Sequence, residues 1–409
     1  MGQTWREIAG GVTAPQGFRA AGVAAGLKPS EGMDLALVVS EVDAVAAGTF
    51  TKNAVKAACV TYGQELLAIG QPIRAIVCNS GQANACTGSD GEHDNREIAR
   101  LVADALAIES SQVLTASTGV IGQRIDVSKV EAAVPSLVRQ ALSADGGNAG
   151  PVAAKAILTT DLVEKTVAIE ADIDGATIRL GGLAKGSGMI HPNMATMLGF
   201  ITCDARVESA VWDEMVKRAV DASFNQITVD CDTSTNDMVL ALANGVAGGD
   251  TIAADSPAAS LLEDMVQWVC ISLAKAIARD GEGATKLMEV TVTGAASQRD
   301  ARLMARTIAS SPLVKAAAYG NDPNWGRIAM AAGRSGVNFN DQQLDIALGT
   351  FQLMAGGRPL AFDRDAASSY LRGDPVIISV DLHQGSASGV AWGCDLSYDY
   401  VRINAEYTT

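Results

Sequence analysis

The hydrophobic residues of this chain change periodicity repeatedly along its length, from the pattern of a strand to that of a helix. Short apolar runs predict β-strands at 34–40, 72–79, 112–120, 165–172 and 176–183. Longer stretches predict α-helices at 92–107, 127–141, 208–223 and 258–279. In the third helix, Val211, Met215 and Ala219 recur every four residues, which is typical of a helix packed on a sheet. The pattern therefore predicts a mixed α/β chain.

The C-terminal part continues with further strand patterns. They predict strands at 286–292, 344–354 and 376–381, and one long alternating strand at 386–403, so that the tail after it follows directly on a strand. The short Gly-containing connection 383–385 suits an antiparallel hairpin between the last two strands. We therefore expect an α/β (α+β) fold of mixed, largely antiparallel sheets layered with helices, and not a purely parallel sheet.

The size and composition are those of a folded globular protein. The chain has 409 residues, of which 48% are hydrophobic and 19% charged, enough for two or three compact units or one large α/β body. No apolar run approaches the roughly 20 residues that cross a bilayer. The first residues also lack the basic start and apolar stretch of a signal peptide. We expect a cytoplasmic protein without membrane association.

The charge and the cysteines exclude other classes of partner. The net charge is −15 and lysines and arginines form no run, so we expect no nucleic-acid partner. The seven cysteines lack CxxC spacing, which favours reduced thiols and no metal site. They are Cys59, Cys78, Cys86, Cys203, Cys231, Cys270 and Cys394.

Several motifs of common enzyme classes are incomplete in this chain. In GGLAKGS (181–187) the lysine precedes the last glycine, whereas a phosphate loop has it after that glycine. Gly281 and Gly283 alone are a weak dinucleotide signal. Ser187 does not lie in a G-x-S-x-G elbow. His191 could act as a base, but a lone histidine is more often a structural hydrogen-bonding group, so a Ser-His-Asp triad stays unsupported.

Thr196 lies where a glycine-containing loop turns into a strand-like run. Such a threonine is usually structural, because its β-branched side chain suits a strand. Its hydroxyl could instead attack the carbonyl of the small residue Ala195, and hydrolysis of the resulting ester would free Thr196 as a new N-terminus. The α-amino group, with a pKa of about 7.7–8.0, could then act as base for its own hydroxyl.

Five segments give the chain an end-to-end resemblance to a known family. It resembles the ornithine acetyltransferases, also called bifunctional glutamate N-acetyltransferase/amino-acid acetyltransferase. The segments are KGSGMIHPNMATML (185–198), CNSGQANACTG (78–88), ASTGVIG (116–122), TVDCDTSTNDM (228–238) and YGNDPNWGRI (319–328).

The resemblance implies an N-terminal-nucleophile type of fold that cleaves itself between Ala195 and Thr196. The products would be an α chain (1–195) and a β chain (196–409) that includes a smaller C-terminal α/β region, assembled as α2β2. The implied reaction is ping-pong: Thr196 takes the acetyl group from N2-acetylornithine, releases ornithine and passes the acetyl group to glutamate, in arginine biosynthesis. No cofactor is implied. Some members accept acetyl-CoA, which makes it a further co-substrate to test.

The resemblance also assigns site residues. Thr196 is the nucleophile, and Thr118 and Gly119 form the oxyanion hole, although Gly119 would serve a simple turn equally well. Lys185 has a physical role as the cation for a substrate α-carboxylate, and Glu282 as the partner of an ammonium group.

The remaining substrate contacts rest on the resemblance alone. They fall on the pair Thr159 and Thr160, where Thr159 is preferred, and on Asn404 and Thr409 in the tail. Asp230 and Asn236 are predicted to order their loop, and Cys231, where many relatives carry glycine, is expected to be harmless.

Two other classes of function stay open at this point. An N-terminal-nucleophile amidohydrolase or aminopeptidase would use the same Thr196 but transfer the acyl group to water. A noncatalytic binding protein would use the segment 185–198 only as a ligand loop.

Overall fold

Strands and helices alternate along most of the chain, as its changes of periodicity predict. The computed structural model describes residues 4–143, 147–191 and 197–406. The strands are β1 (Arg6–Glu7), β2 (Phe18–Val23), β3 (Leu35–Phe50), β4 (Ile73–Gln82), β5 (Val113–Val120), β6 (Lys165–Ile173), β7 (Ala176–Lys185), β8 (Leu198–Cys203), β9 (Ile227–Thr228), β10 (Met238–Ala243), β11 (Leu287–Ala295), β12 (Asp345–Leu348), β13 (Phe351–Ala355), β14 (Arg358–Pro359), β15 (Val376–Asp381) and β16 (Ala387–Cys394). The helices are α1 (Ala58–Ile69), α2 (Gly88–Leu106), α3 (Val127–Ala141), α4 (Gly150–Ala156), α5 (Ser209–Ala222), α6 (Pro257–Arg279), α7 (Gln298–Ala309), α8 (Pro312–Tyr319), α9 (Trp325–Gly333), α10 (Arg364–Tyr370) and α11 (Tyr398–Glu406).

The larger sheet is mixed and mostly antiparallel. Within the described residues its strand order is β1-β6-β7-β8-β10-β3-β4-β5, with β2 also paired to β3. Only the pairs β8–β10 and β4–β5 are parallel in this part of the structure. The long strand β3 pairs through its first half with β2 and through its second half with β10. The expected fold class is confirmed.

The smaller sheet has the order β14-β13-β12-β15-β11-β16-β9 in the described residues. The predicted hairpin between β15 and β16 is wrong, because β11 lies between them and pairs with both. The connection between them passes over the end of β11, where Leu382 N donates to Thr293 O and Gln384 N to Gly294 O. Since neighbouring strands lie about 4.8 Å apart, a link of this length spans one intervening strand.

Two other C-terminal predictions need correction. The predicted strand 344–354 is two strands, β12 and β13, that turn at Gly349, where φ is 54°. The predicted strand 386–403 ends at Cys394, because Asp395 accepts hydrogen bonds from Thr285 N and Lys286 N and directs the chain out of the sheet. The tail that follows is the helix α11, so Asn404 is helical and does not follow directly on a strand.

Helix α6 connects the two sheets. It packs on β6 and β7 of the larger sheet and on β11 and β16 of the smaller one. Leu273 and Val269 lie so close to Gly182 of β7 that any added Cβ would crowd them. Burial of each such aliphatic side chain contributes about 1.5–3 kcal/mol. This packing fixes the residues after α6 beside the end of β7.

The neighbouring helix α5 behaves as its spacing predicts. It packs against β3 and β10, with Trp212, Met215 and Ala219 buried and Val211 partly buried. All seven cysteines are free thiols. In the part of the chain that the structure describes, no helix is long and apolar enough to cross a bilayer.

Candidate functional site

A pocket of about 390 Å³ opens where several strands of the larger sheet end. Its lining comes from the ends of β5 and β7, the start of β8, the loops before β6 and β10, the turn after α6, and α11. Predicted site residues that line it are Thr118, Gly119, Thr159, Thr160, Lys185, Glu282 and Asn404. The structure thus brings together residues that are almost 300 positions apart in sequence.

Three predicted residues, Ala195, Thr196 and Thr409, lie outside the described residues. The two residues that follow Thr196 in sequence, Met197 and Leu198, line the pocket. Leu198 pairs with Lys185 across the antiparallel strands β7 and β8. The sheet therefore places the chain immediately after Thr196 beside the predicted carboxylate-binding lysine.

Lys185 is 7% exposed and its ammonium is held by hydroxyl groups. Nζ donates to Thr159 Oγ1 at 2.8 Å and to Thr118 Oγ1 at 3.3 Å. Asp161 Oδ2 lies 3.9 Å from the same nitrogen. Of the pair Thr159 and Thr160, both line the pocket, and Thr159 provides the contact to Lys185.

Asp161 was not singled out from the sequence, yet its carboxylate is completely buried. Burial alone would raise its pKa, but Lys185 and Lys165, together with hydrogen bonds from Lys165 and from the amide of Gly186, lower it to about 2. The carboxyl group is therefore ionised at neutral pH. In the sequence Asp161 is only an aspartate directly after Thr159 and Thr160. That pattern is too common to predict a buried, functional carboxylate.

The end of β5 carries Thr118 and Gly119 in an arrangement that a simple turn does not need. Gly119 has a φ of 133°, and an added Cβ would overlap the backbone of Gly81 on the parallel strand β4. A glycine is therefore required here. The amide of Asn236 donates to Ser117 O at 2.8 Å and to Ala83 O at 2.6 Å, which ties this strand end to the loop before β10. The loop-ordering role predicted for Asn236 is confirmed.

Another part of the pocket lining is acidic. Asp230, Asp232, Asp237 and Glu282 all line it. Glu282 is 8% exposed, and its Oε2 accepts a hydrogen bond from Asn404 Nδ2 of α11 at 2.8 Å. An added Cβ on Gly188 would overlap the Glu282 carboxylate, so this glycine allows the close approach.

Tyr400 of α11 is a site residue that the sequence did not reveal, because its segment was predicted to be a strand. Burial, with the nearby carboxylates of Asp230 and Glu282, raises the pKa of Tyr400. The phenol is therefore neutral at physiological pH.

The backbone that leads into the predicted cleavage segment is held by Asp230. Its carboxylate accepts hydrogen bonds from Met189 N at 2.6 Å and from Ile190 N at 2.8 Å. Burial raises the pKa of Asp230. Within its own loop Asp230 Oδ1 also accepts a hydrogen bond from Asp232 N at 3.2 Å, as its predicted loop-ordering role requires. The bonds to Met189 and Ile190 extend this role to the residues just before position 192.

The histidines do not form a triad with a serine in the described part of the chain. His191 Nδ1 lies 2.9 Å from Thr228 Oγ1, and burial together with Arg306 lowers its pKa to about 4. His383 pairs with Asp345 in the smaller sheet. Ser187 donates to Asp280 O, a structural bond. Among the described residues no group of His, Cys, Asp and Glu side chains is arranged to hold a metal ion.

Comparison with known proteins places this site in a family. The sequence profile of the ArgJ family matches residues 19–409. The arginine biosynthesis bifunctional protein ArgJ of a Synechococcus strain is 59% identical over 418 residues, which cover 100% of each chain. The chain belongs to the ArgJ family.

Other ArgJ proteins show the same full-length similarity. The chloroplastic arginine biosynthesis bifunctional protein ArgJ of Citrullus lanatus is 53% identical, covering 99% of this chain and 90% of the plant protein.

A crystal structure of ArgJ from Bacillus halodurans is 48% identical with a TM-score of 0.50, and covers 51% of this chain and 98% of its own. The matched chain of that ArgJ structure is therefore about half as long as this one.

Proposed function

We propose that this ArgJ-family chain transfers the acetyl group of N2-acetylornithine to glutamate through an acetyl ester on Thr196. The observation that carries the proposal is the pocket itself. It is lined by the end of β5, where the predicted oxyanion residues lie, by a buried lysine and by a buried glutamate. The residues that directly follow Thr196 line the same pocket. An acetylated amino acid with a carboxylate and a side-chain ammonium matches these charges.

The proposed reaction has two balanced halves. In the first, Thr196 Oγ attacks the acetyl carbonyl carbon and its proton passes to the free α-amino group of Thr196. The amide C–N bond then breaks, and ornithine leaves with that proton on its nitrogen. In the second, the neutral amine of glutamate attacks the ester carbonyl carbon and gives up a proton to the Thr196 α-amino group. The Thr196 Oγ–acetyl bond breaks, Oγ takes that proton back, and N-acetylglutamate leaves.

The described residues supply binding and charge stabilisation for both halves. Thr118 Oγ1 accepts a hydrogen bond from Lys185, so its own proton can be donated to the developing oxyanion beside Gly119. Lys185 binds the substrate α-carboxylate in a charge-assisted hydrogen bond. Glu282 and Asn404 bind the ornithine side-chain ammonium. Thr160 completes the predicted substrate contacts among the described residues. Thr409, which lies outside them, is the last contact that the resemblance predicts.

The chain is proposed to become competent by cutting itself between Ala195 and Thr196 into chains 1–195 and 196–409. The half-length chain of the Bacillus halodurans relative supports this proposal. On a denaturing gel, purified protein should run as two bands of similar size, and Thr196→Ala as one full-length band. Full-length wild-type protein with acetyl-transfer activity would overturn the cleavage step.

One assay separates the transferase from a hydrolase that uses the same threonine. Incubation with N2-acetylornithine and glutamate should give N-acetylglutamate and ornithine in equal amounts. Release of free acetate in place of N-acetylglutamate would show an amidohydrolase instead. Absence of any turnover by cleaved protein would leave only a binding function.

Three finer parts of the proposal have their own tests. Acetyl-CoA as a second donor stays a prediction from the family resemblance, which N-acetylglutamate formation from acetyl-CoA and glutamate alone would test. An α2β2 assembly predicts a mass in solution of two cleaved precursors. A cytoplasmic location stays a prediction, to be checked by cell fractionation.

A further inference from the structure

Four charged side chains are buried together beside the pocket, and one of them, Lys185, lines it. Lys165 is 1% exposed, and its ammonium lies 2.8 Å from Asp161 Oδ1 and 2.6 Å from Asp280 Oδ2. Asp161 also pairs with Lys185, whose side chain is 9% exposed. We call these four residues the buried charge cluster. Two lysines and two aspartates make it neutral, which is the condition under which buried charges are tolerated.

Asp161 is the member of this cluster that contacts the substrate-binding residues. Its Oδ2 accepts a hydrogen bond from Thr159 N at 3.1 Å, and its Oδ1 accepts one from Gly186 N at 2.6 Å. The first of these fixes the loop that carries Thr159, and the second fixes the backbone directly after Lys185. The Asp280 carboxylate accepts hydrogen bonds from Leu162 N and Lys165 instead, and within the described ranges it has no such bond to the residues that line the pocket.

The distance from Asp161 to Lys185 leaves a proton available to a ligand. An ammonium group has three N–H donors. Among the described residues, the hydroxyls of Thr118 and Thr159 accept two of them. At 3.9 Å, Asp161 compensates the charge without accepting the third.

The other charged groups around Lys185 make this compensation necessary. Lys165 lies in the same cluster, and Lys28 adds a third positive charge, with its Nζ held by the carbonyls of Met33 and Leu158. Burial lowers the pKa of Lys28, and the charge of Lys185 lowers it further. The carboxylates of Asp34 and Asp161 oppose this shift. In the part of the chain described, Asp161 is the carboxylate that forms an ion pair with Lys185.

We propose that Asp161 is a positioning residue that aims the Lys185 ammonium at the substrate α-carboxylate and holds Thr159 beside it. This inference rests on the proposed acetyl transfer, because it assigns a role in binding the substrates of that reaction. Asp161 itself need not touch the substrate.

The matched pair Asp161→Asn and Asp280→Asn tests it. Each removes one carboxylate from the buried charge cluster, but only the first removes the partner of Lys185. Asp161→Asn should raise the KM for N2-acetylornithine about 10-fold with little change in kcat. Asp280→Asn should leave that KM within roughly twofold of the wild-type value. The two variants are compared when their melting temperatures and their extents of cleavage are equal.

A substrate analogue separates positioning from a general structural role. N2-acetylornithinamide lacks the α-carboxylate, so wild type and Asp161→Asn should use it with kcat/KM values within about twofold of each other. An equal loss on the acid and on the amide would overturn the proposal. Because asparagine keeps an oxygen that can accept the Thr159 N–H, Lys185→Met/Asp161→Asn should likewise be no worse than Lys185→Met alone. Additive losses would count against the proposal.

A second variant covers the case in which Asp161→Asn does not fold. Asp161→Asn/Lys165→Met removes one charge of each sign and keeps the buried charge cluster neutral, while Lys185 still lacks its partner. Its KM for N2-acetylornithine should also be raised about 10-fold. A wild-type KM in either folded variant would overturn the role of Asp161. Wild-type protein that transfers no acetyl group would instead overturn the proposed function.

Discussion

The two sides of the pocket are built in different ways. The strand side consists of Thr118, Gly119, Thr159 and Lys185, which the sheet and the buried charge cluster hold from behind. The tail side consists of Asp230, Glu282, Tyr400 and Asn404, and two of these lie on α11, a helix with no buried residue. The strand side and Glu282, which follows the packed helix α6, are therefore set by the fold, whereas Tyr400 and Asn404 on α11 depend on a few polar contacts.

This difference separates the expected tasks of the two sides. Stabilisation of an oxyanion needs donors that do not reorganise during the reaction, and a strand end inside a sheet provides them. Recognition of a substrate side chain tolerates a more adjustable surface. Substitution of the oxyanion residues on the strand side should therefore reduce kcat most, whereas substitutions on the tail side should mainly change KM.

The largest effect is expected from Thr118→Val, which removes the hydroxyl but keeps the β-branched shape. Loss of an oxyanion donor lowers kcat about 10²–10³-fold. Thr115→Val is a matched control on the same strand, because the buried Thr115 hydroxyl has no hydrogen-bond partner among the residues that the structure describes. It should leave kcat unchanged in the acetyl-transfer assay. Equal losses in both variants would mean that packing of β5, not the Thr118 hydroxyl, is responsible.

The same contrast explains what the sequence could predict. Helix α3 was predicted with its observed bounds, because its apolar residues repeat within one segment. The insertion of β11 between β15 and β16 could not be predicted, because it depends on pairing with a strand from about 90 residues earlier. Local alternation in the tail predicts a strand where the structure has the helix α11, so the pattern does not point to Tyr400.

The site residues divide in a similar way. The resemblance to the family named the residues that were expected to touch substrate, and the described ones line one pocket. It did not name Asp161, because an aspartate that acts through other residues leaves no pattern that a short motif can show. Its importance follows from burial and distances, which only the folded chain provides.

A smaller effect is expected on the tail side from Glu282→Gln. The variant keeps an oxygen that can accept the Asn404 hydrogen bond but removes the charge that meets the substrate ammonium. The KM for N2-acetylornithine should rise about 10-fold, with kcat nearly unchanged.

N-acetylnorvaline, which lacks the ammonium, should be used equally by wild type and Glu282→Gln. Glu263→Gln, in an exposed ion pair with Arg218, should match wild type on both substrates. If Glu282→Gln instead lowers kcat on both substrates, the tail side takes part in the chemical step and the contrast between the two sides fails.

A weaker effect on stability is expected from the pH dependence of His191, which lies near the tail side. Its folded pKa is about 4, below the ordinary value of 6.5. Below pH 6.5 the unfolded chain therefore binds a proton that the folded chain does not, and stability falls until about pH 4. His191→Gln should remove this loss of stability at low pH. The melting temperature of the variant minus that of wild type should therefore increase as the pH falls from 7 to 4.5.

His383 provides a control of opposite sign. The carboxylates of Asp345 and Asp381 raise its pKa above 6.5, so its stabilising contribution is present below pH 6.5 and is lost as the pH rises through the folded value. His383→Gln should therefore be least stable relative to wild type at low pH. Parallel curves for the two variants would contradict the assigned directions.

The smallest effect concerns Cys231, which lies between two aspartates of the pocket and has a φ of 72°. Cys231→Gly should relieve roughly 1 kcal/mol of backbone strain. Two effects oppose this gain. Glycine increases the conformational entropy of the unfolded chain, and the substitution removes the hydrogen bond from Sγ to Ser310 O at 3.2 Å. The free energy of unfolding in urea should therefore change by less than about 0.5 kcal/mol.

Ala107→Gly gives the matched comparison for Cys231, since Ala107 has a φ of 55° at the end of α2 and its methyl group forms no hydrogen bond. It should stabilise the protein by about 0.5–1 kcal/mol, as expected for glycine after a helix. Equal stabilisation by both variants would mean that the Cys231 sulfur contributes nothing. Loss of more than about 1 kcal/mol in Cys231→Gly would show instead that this sulfur holds the pocket loop onto α7, and that the cysteine is not a harmless departure.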